Sequence, residues 1–256
     1  MLSAEGVGTG RTAPSLVSVP NFRDVAGPGY STPYGPMRPG RLFRSNAFLV
    51  SPEEMAALTP LGIVAIYDLR TAQEVELRPD SELPGATWRH TWVPGLPREV
   101  MKALRTAADL REAMLDHYRG FVTDPDKRAG FAAVLSSIAN QEGPQLFHCS
   151  EGKDRTGWVT MLLQRLVGVA EEDVAADFLL TNDLMRGSNA SLEIARQFFG
   201  DRPDDFFVPG MIADMAYLEA GTARMETDYG DVEGYLRRGL GLSDEQVERL
   251  RRLLLD

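Results

Sequence analysis

Two hydrophobic periods take turns along this chain, and the changes between them mark its elements. Ile63-Val64-Ala65-Ile66-Tyr67 is an unbroken apolar run, the pattern of a strand covered on both faces. Pro144-Gln145-Leu146-Phe147-His148 predicts a second buried strand, and Thr91-Trp92-Val93 a third. Helical spacing fills the intervals: Phe131, Val134, Leu135 and Ile138 recur on one helix face just before the second strand. Trp158 to Val167 then predicts an apolar helix closed by Gly168. Strand, helix, strand, helix predicts an α/β fold with a central, mostly parallel sheet flanked by helices and its ligand site at the strands' carboxyl ends.

The helix ends are written in capping chemistry. Ser51 as N-cap, Pro52 at the first helical position and Glu54 predict a capping box, with Val50 and Met55 as its hydrophobic staple and Gly62 as the stop. Ser243 with Gln246, and Leu242 with Val247, repeat the device at the last helix. There Val247, Leu250 and Leu254 form the buried stripe while Arg249, Arg251 and Arg252 face solvent. Asp173 to Leu184 predicts one helix, and residues 186–223 two weakly patterned ones around Gly200–Asp205. The turn-rich stretch Gly27–Pro36 predicts a hairpin. Residues 1–16 are expected to form a flexible arm and 17–256 a single domain.

Composition narrows the function. The chain has 256 residues, 43% hydrophobic and 25% charged, ordinary values for a globular protein with a sizeable core. A net charge of −10 and a pI near 4.9 speak against nucleic acid or an anionic membrane as a partner of the whole surface. Any anion site must work through a local field. No apolar run approaches a membrane span, so stable membrane insertion is not expected. Met1 to Gly6 carries an early acid and no hydrophobic core; the expected compartment is the cytoplasm, with signal-independent export as the alternative. A monomer is expected. The single cysteine excludes an internal disulfide, and His90 and His117 lie outside any ligand spacing, so neither a metal nor another cofactor is expected.

That cysteine carries the candidate chemistry. In Phe147-His148-Cys149-Ser150-Glu151-Gly152-Lys153-Asp154-Arg155-Thr156-Gly157 it sits between a strand's end and a helix's start, with an arginine six positions on. Helix N-termini offer unpaired N–H groups and a positive dipole end, and both that end and a neighbouring cation favour the reactive thiolate. Loop amides from Ser150, Glu151, Gly152, Lys153, Asp154 and Arg155 can surround a phosphoryl group. The Arg155 guanidinium suits two of its oxygens at once. Gly152 permits the turn, and the Thr156 hydroxyl is placed to donate to the cysteine sulfur. In-line attack by Cys149 would give a phosphocysteine, hydrolysed later by water.

The string His-Cys-x5-Arg-Thr-Gly resembles the protein tyrosine phosphatase superfamily, and His-Cys-x-x-Gly-Lys-Asp-Arg-Thr-Gly resembles its bacterial tyrosine/serine phosphatases. Asn21-Phe22-Arg23-Asp24, Gly40–Ser45, Tyr67-Asp68-Leu69-Arg70-Thr71 with Glu74, Asp177–Asn182 and Tyr229-Gly230…Tyr235-Leu236 fit the same family. The resemblance implies a phosphatase-like fold with a helical lid at 186–223. It also implies activity on phosphotyrosine, with phosphoserine/threonine or phosphoinositides as further candidates and inorganic phosphate as product. It implies Asp154 as proton donor, ahead of Asp68, since Trp92–Leu96, where many relatives keep an aspartate, has no carboxylate. A carboxyl beside a phosphate dianion holds its proton more tightly, which suits an acid. Lys153 would add a point charge at the rim. Met185, Phe198, Phe199, Phe206, Phe207 and Met211 would give the lid an apolar face shielding the thiolate. His148 is expected to brace the loop, and Asn21, Arg23, Asp24, Arg44 and Arg70 to form a polar network beneath it. The alternatives are a rhodanese-like sulfurtransferase and a catalytically inert phosphate-binding module.

Overall fold

The computed structural model describes residues 13–187, 192, 196, 200 and 202–255. Its strands are β1 (Arg23–Asp24), β2 (Ser31–Thr32), β3 (Gly35–Pro36), β4 (Leu42–Ser45), β5 (Ala65–Asp68), β6 (Thr87–His90) and β7 (Gln145–His148). Its helices are α1 (Pro52–Leu58), α2 (Ala72–Leu77), α3 (Arg98–Ala103), α4 (Ala107–Thr123), α5 (Pro125–Asn140), α6 (Asp154–Leu166), α7 (Glu171–Leu184), α8 (Asp204–Met211), α9 (Met215–Tyr229) and α10 (Asp244–Leu255). A helical turn at Val232–Gly234 runs into a π-helix at Tyr235–Gly239 ahead of α10.

Five strands form one sheet in the order β1-β4-β7-β5-β6, and β2 pairs with β3 as the separate hairpin expected there. β4, β7, β5 and β6 run parallel; only the edge strand β1 is antiparallel. Strand alternation sends side chains to two cores. Leu42, Ala65, Tyr67 and Phe147 point to the larger one with α4, α5, α6, α9 and α10. Phe43, Ile66 and Leu146 point to the smaller one with α1. Both faces being covered is why β5 reads as a continuous apolar run.

Register aligns the strand ends: His148 pairs with Ser45 on one side and Asp68 on the other, and Asp68 with His90. The loops leaving these four strands therefore gather at one edge, and Cys149 leaves the central one.

Several expectations are corrected. The third strand is Thr87–His90, not Thr91–Val93. Residues 91 and 93 continue it only through Thr91 N–H to Asp68 O and Val93 N–H to Leu69 O, and the exposed face of this edge strand gave no apolar signal. The Ser51 hydroxyl accepts from Glu54 N–H as predicted, but the Glu54 carboxylate turns away to the N–H groups of Val17 and Ser18. Half of the capping box thus became an anchor, and Leu16 beyond it is 4% exposed in the smaller core. At α10 both halves of the box form. Of the residues expected in a lid, 215–223 belong to α9, which lies against α4 with Tyr217, Leu218 and Met225 buried in the main core. Residues 188–191, 193–195, 197–199 and 201, Phe198 and Phe199 among them, lie outside the described residues, as do 1–12 and 256.

Candidate active site

The loop from Cys149 to Lys153 is built by turning its carbonyls outward. Ser150 O accepts from Ala47 N–H at 3.0 Å, Glu151 O from Asn21 Nδ2 at 2.8 Å, and Gly152 O from Arg44 Nη2 at 2.6 Å. His148 Nδ1 lies 3.3 Å from Cys149 O. With the carbonyls held from outside, the amides turn the other way. Among the described residues the N–H groups of Ser150, Gly152 and Lys153 donate to no protein acceptor. The first amides of α6 have no intrahelical partner either. Gly152 makes this possible: its φ is +67°, and a Cβ there would lie 2.4 Å from Ser45 O. Only glycine meets both conditions.

Buried ion pairs hold the supports. Arg23 and Arg44 face each other across β1 and β4, a repulsive pairing by itself. Asp177 of α7 takes Arg23 Nε at 3.0 Å and Arg44 Nη1 at 2.8 Å. Burial, then Arg23, pushes the Arg44 pKa down to about 9; it remains cationic at neutral pH. The expected network beneath the loop is therefore Asn21, Arg23 and Arg44, with Asp177 as the missed member. Asp24 lies apart, accepting from Ala26 and Gly40 N–H in a turn where burial raises its carboxyl to about 6.

Arg70 also stands elsewhere. Its Nη2 is 2.7 Å from Asp68 Oδ2 and 2.8 Å from Asp80 Oδ1. His148 Nε2 reaches Asp80 Oδ2 at 3.0 Å in an ion-pair contact that is not an aligned hydrogen bond. Burial alone would lower the His148 pKa; Asp80, then Asp68, outweigh it and raise it. Asp68, Asp80 and His148 bring one ligand atom each within 4.8 Å of one another, a cluster unforeseen in the sequence, but the Arg70 guanidinium sits on both carboxylates. Asp68 is fully buried and turned to Arg70, as expected of a carboxylate that orients an arginine.

Arg155 is aimed by a residue whose role sequence reasoning missed. Glu74 of α2 accepts Arg155 Nη1 at 2.9 Å and Nη2 at 2.6 Å, a bidentate fork. Arg155 Nη1 also approaches Leu69 O and Val93 O at 3.3 and 3.4 Å. The Nε edge, shared with the second hydrogen of Nη2, is left for an oxyanion. Burial would lower the Arg155 pKa, but Glu74 raises it well above its ordinary value. In return, Arg155 holds the Glu74 carboxyl far below the usual carboxylate range against the opposing effect of burial. Glu74 is itself fixed by a capping box with Thr71 and accepts the Ser150 hydroxyl. The Thr71-x-x-Glu74 pattern was the signal available.

Three further placements matter. Asp154 opens α6 and accepts the Tyr118 hydroxyl on Oδ1 at 2.8 Å; it lines the cleft, and Asp68 does not. Lys153 is not a charge at the rim: it is 1% exposed, and its Nζ donates to Gly210 O at 2.5 Å and Ile212 O at 3.1 Å, tying the loop to the end of α8. Thr156 Oγ1 is buried with no hydrogen-bond partner, so the predicted bond to the cysteine sulfur is not formed. Cys149 is 2% exposed, beneath a cleft of about 870 Å³ whose floor includes Ser150, Glu151, Asp154 and Arg155. Trp92–Leu96 is lined along it, as are Phe207 and Met211 of α8, except for Val93, which is buried behind Arg155.

A mostly parallel sheet delivering one cysteine into an amide-lined loop, with a forked arginine over it, is the arrangement of a cysteine-dependent phosphatase. The chain belongs to the tyrosine phosphatase family, whose model matches residues 14–256. It is 31% identical over 272 residues to the triple specificity protein phosphatase PtpB of Mycobacterium tuberculosis, across 92% of this chain and 96% of that protein. To a tyrosine-protein phosphatase of Nostoc commune it is 27% identical over 207 residues, 76% of this chain and 67% of that one. The crystal structure of P. aeruginosa TpbA overlaps loosely, with a TM-score of 0.33 and 15% identity over 75% of this chain and 97% of that chain. The family decides for the phosphatase over the sulfurtransferase and the inert module. Among the described residues no helix is long and apolar enough to cross a membrane.

Proposed function

We propose that this tyrosine phosphatase works through Cys149 and a phosphocysteine. The thiolate attacks phosphorus in line and the P–O ester bond breaks. The leaving alcohol takes its proton from Asp154, and Arg155 with the loop amides carries the equatorial oxygens. Water then attacks the phosphocysteine, Asp154 takes the proton, the S–P bond breaks and inorganic phosphate leaves. Such fixed donors, placed where charge develops, commonly supply the largest share of catalysis. The observation that carries this reading is the Arg155–Glu74 fork, which leaves the Nε edge of the guanidinium without a protein acceptor among the described residues, at the end of a loop whose Ser150, Gly152 and Lys153 amides are likewise unbonded. Asp154 is favoured over Asp68 as acid because it lines the cleft.

The substrates are phosphotyrosine first, with phosphoserine/threonine and phosphoinositides alongside; the cleft volume and the similarity to the triple specificity phosphatase PtpB support this breadth. Residues 17–256 act as one catalytic domain, with α8 as the covering part of a lid. The test is p-nitrophenyl phosphate turnover in chelator for wild type and Cys149→Ser, with acid-quenched samples examined for phosphate on residue 149. Activity and adduct in wild type alone support the mechanism. Turnover in the serine variant within a hundredfold of wild type overturns it.

A further inference from the structure

The proposed reaction leaves one buried basic pair unused. His117 on α4 is 6% exposed, as is Lys127 in the first turn of α5. Lys127 Nζ lies 3.0 Å from His117 Nδ1 and 3.4 Å from His117 O, and 5.6 Å from the centre of the Phe121 ring. Among the described residues no carboxylate comes within ion-pair distance of this ammonium, Asp124 acting on it only from farther off. Burying a cation without an anion is costly, and the fold makes room for it. Gly120 lies in the interior of α4, where glycine costs roughly 1 kcal/mol relative to alanine, and a Cβ there would stand 2.8 Å from Lys127 Nζ.

The pairing fixes the imidazole. An ammonium only donates, so Nδ1 accepts and the ring proton is on Nε2. Burial, then Lys127, Arg155 and Lys153, hold the His117 pKa well below its ordinary value, so the ring is neutral and keeps this tautomer. Nε2 makes no hydrogen bond among the described residues and is not sealed from solvent. His117 lines the cleft on a wall otherwise made by Leu110, Met114, Phe207 and Met211. His117 thus brings an N–H donor, with the Lys127 amino group behind it, to a largely apolar part of the cleft lining.

We propose that His117, backed by Lys127, is a second anion subsite of this cleft, taking another phosphate monoester of the same substrate molecule. This rests on the reading that the Arg155 loop takes the scissile phosphoryl group. His117 and Arg155 line one cleft of about 870 Å³, so both phosphates must be carried on one compact group. A single polyol ring does this; two side chains of an extended peptide do not. His117 and Lys127 are specificity residues here, with no part in bond cleavage.

The test is competitive inhibition of p-nitrophenyl phosphate hydrolysis by soluble inositol monophosphate, inositol bisphosphate and a doubly phosphorylated peptide. Wild type should bind the bisphosphate at least tenfold tighter than the monophosphate. Lys127→Gln, which keeps a donor to Nδ1 but removes the charge, should bring that ratio below threefold, and Gly120→Ala, which displaces the ammonium, should do the same. Using both variants guards against one that does not fold. A wild-type ratio near one, a ratio unchanged in a folded variant, or an equal gain for the peptide overturns the subsite. Loss of p-nitrophenyl phosphate turnover in chelator in wild type would instead refute the cysteine mechanism itself.

Discussion

Replacing Glu74 by glutamine tests whether Arg155 is aimed or merely present. The amide keeps one acceptor for the guanidinium and loses the charge. One of the two charge-assisted bonds at 2.6 and 2.9 Å disappears and the other becomes neutral. Hydrogen bonds to charged groups contribute roughly 1.5–3 kcal/mol and neutral ones about 1, so the fork loses about 2–5 kcal/mol. That range starts slightly below the roughly 3–5 kcal/mol for breaking a buried ion pair outright, as fits a carboxylate 20% exposed. In a chain of this size, at roughly 2 °C per kcal/mol, the melting temperature should fall by about 4–10 °C.

Catalysis should suffer through kcat. An arginine free to rotate offers its Nε edge to the phosphoryl group only part of the time, and removing one such donor costs roughly 10²–10³ in kcat. KM should hold or fall, because the variant loses a negative charge beside the dianion. Acid supplies an independent check. The Glu74 pKa is depressed in the folded state, so its contribution is complete above the ordinary carboxylate range. As pH falls below about 4.5 the unfolded chain takes up the proton first and the contribution declines. The stability gap between wild type and Glu74→Gln should therefore narrow from pH 6 to pH 3 in urea titrations. A variant within threefold of wild-type kcat, with an unchanged melting temperature, refutes the aiming role.

Gly152→Ala should leave a folded protein, by circular dichroism, with less than about 1% of wild-type turnover, because the left-handed backbone and the contact with Ser45 O force the loop open. Lys153→Met leaves the carbonyls of Gly210 and Ile212 without their donor at a cost of roughly 1–3 kcal/mol; limited proteolysis between residues 208 and 214 should speed up severalfold, and an unchanged cleavage rate counts against the tie. His148 has a raised pKa in the folded state, so its contribution is full below about 6.5 and is lost as pH rises through the folded value. Urea midpoints from pH 6 to pH 9 should fall more steeply for wild type than for His148→Gln, and parallel curves would remove the imidazolium from the account.

The legible parts of this protein were those in which one residue's pattern meets one local requirement. The strand at Ile63–Tyr67, the last helix with its complete box, and the Cys149–Arg155 loop all carry their instruction within a dozen residues. The parts that stayed hidden depend on partners distant in sequence. Glu74 meets Arg155 across 81 positions, Asp177 meets Arg44 across 133, and Glu54 leaves its own cap for the amides of residues 17 and 18. Lys153 looked like a surface charge because nothing near it in sequence announces the carbonyls that bury it. Trp88 and His90 hid β6 because an edge strand exposed along its length carries no alternation to detect.

The buried charges explain how an acidic chain can build a site for anions. Over the whole sequence, 37 Asp and Glu outnumber 27 Lys and Arg. Among the buried residues the order reverses: Arg23, Arg44, Arg70, Lys127, Lys153 and Arg155 stand against Asp24, Asp68 and Asp177. Asp80 and Glu74, less buried, return part of the balance to Arg70 and Arg155. Lys153 lies 3.7 Å from Asp154, so the surplus rests on Arg23 and Arg44, which share Asp177, and on Lys127, which meets no carboxylate within ion-pair distance among the described residues, in surroundings that salt screens weakly. An oxyanion entering there meets a positive local field within a protein whose surface repels it. Stabilisation by inorganic phosphate, about 2.7 kcal/mol at a hundred times its Kd, should therefore persist at salt concentrations that abolish attraction between surface charges. Loss of that stabilisation between 0.05 and 0.5 M salt would place the anion-binding charge on the surface and not in this interior.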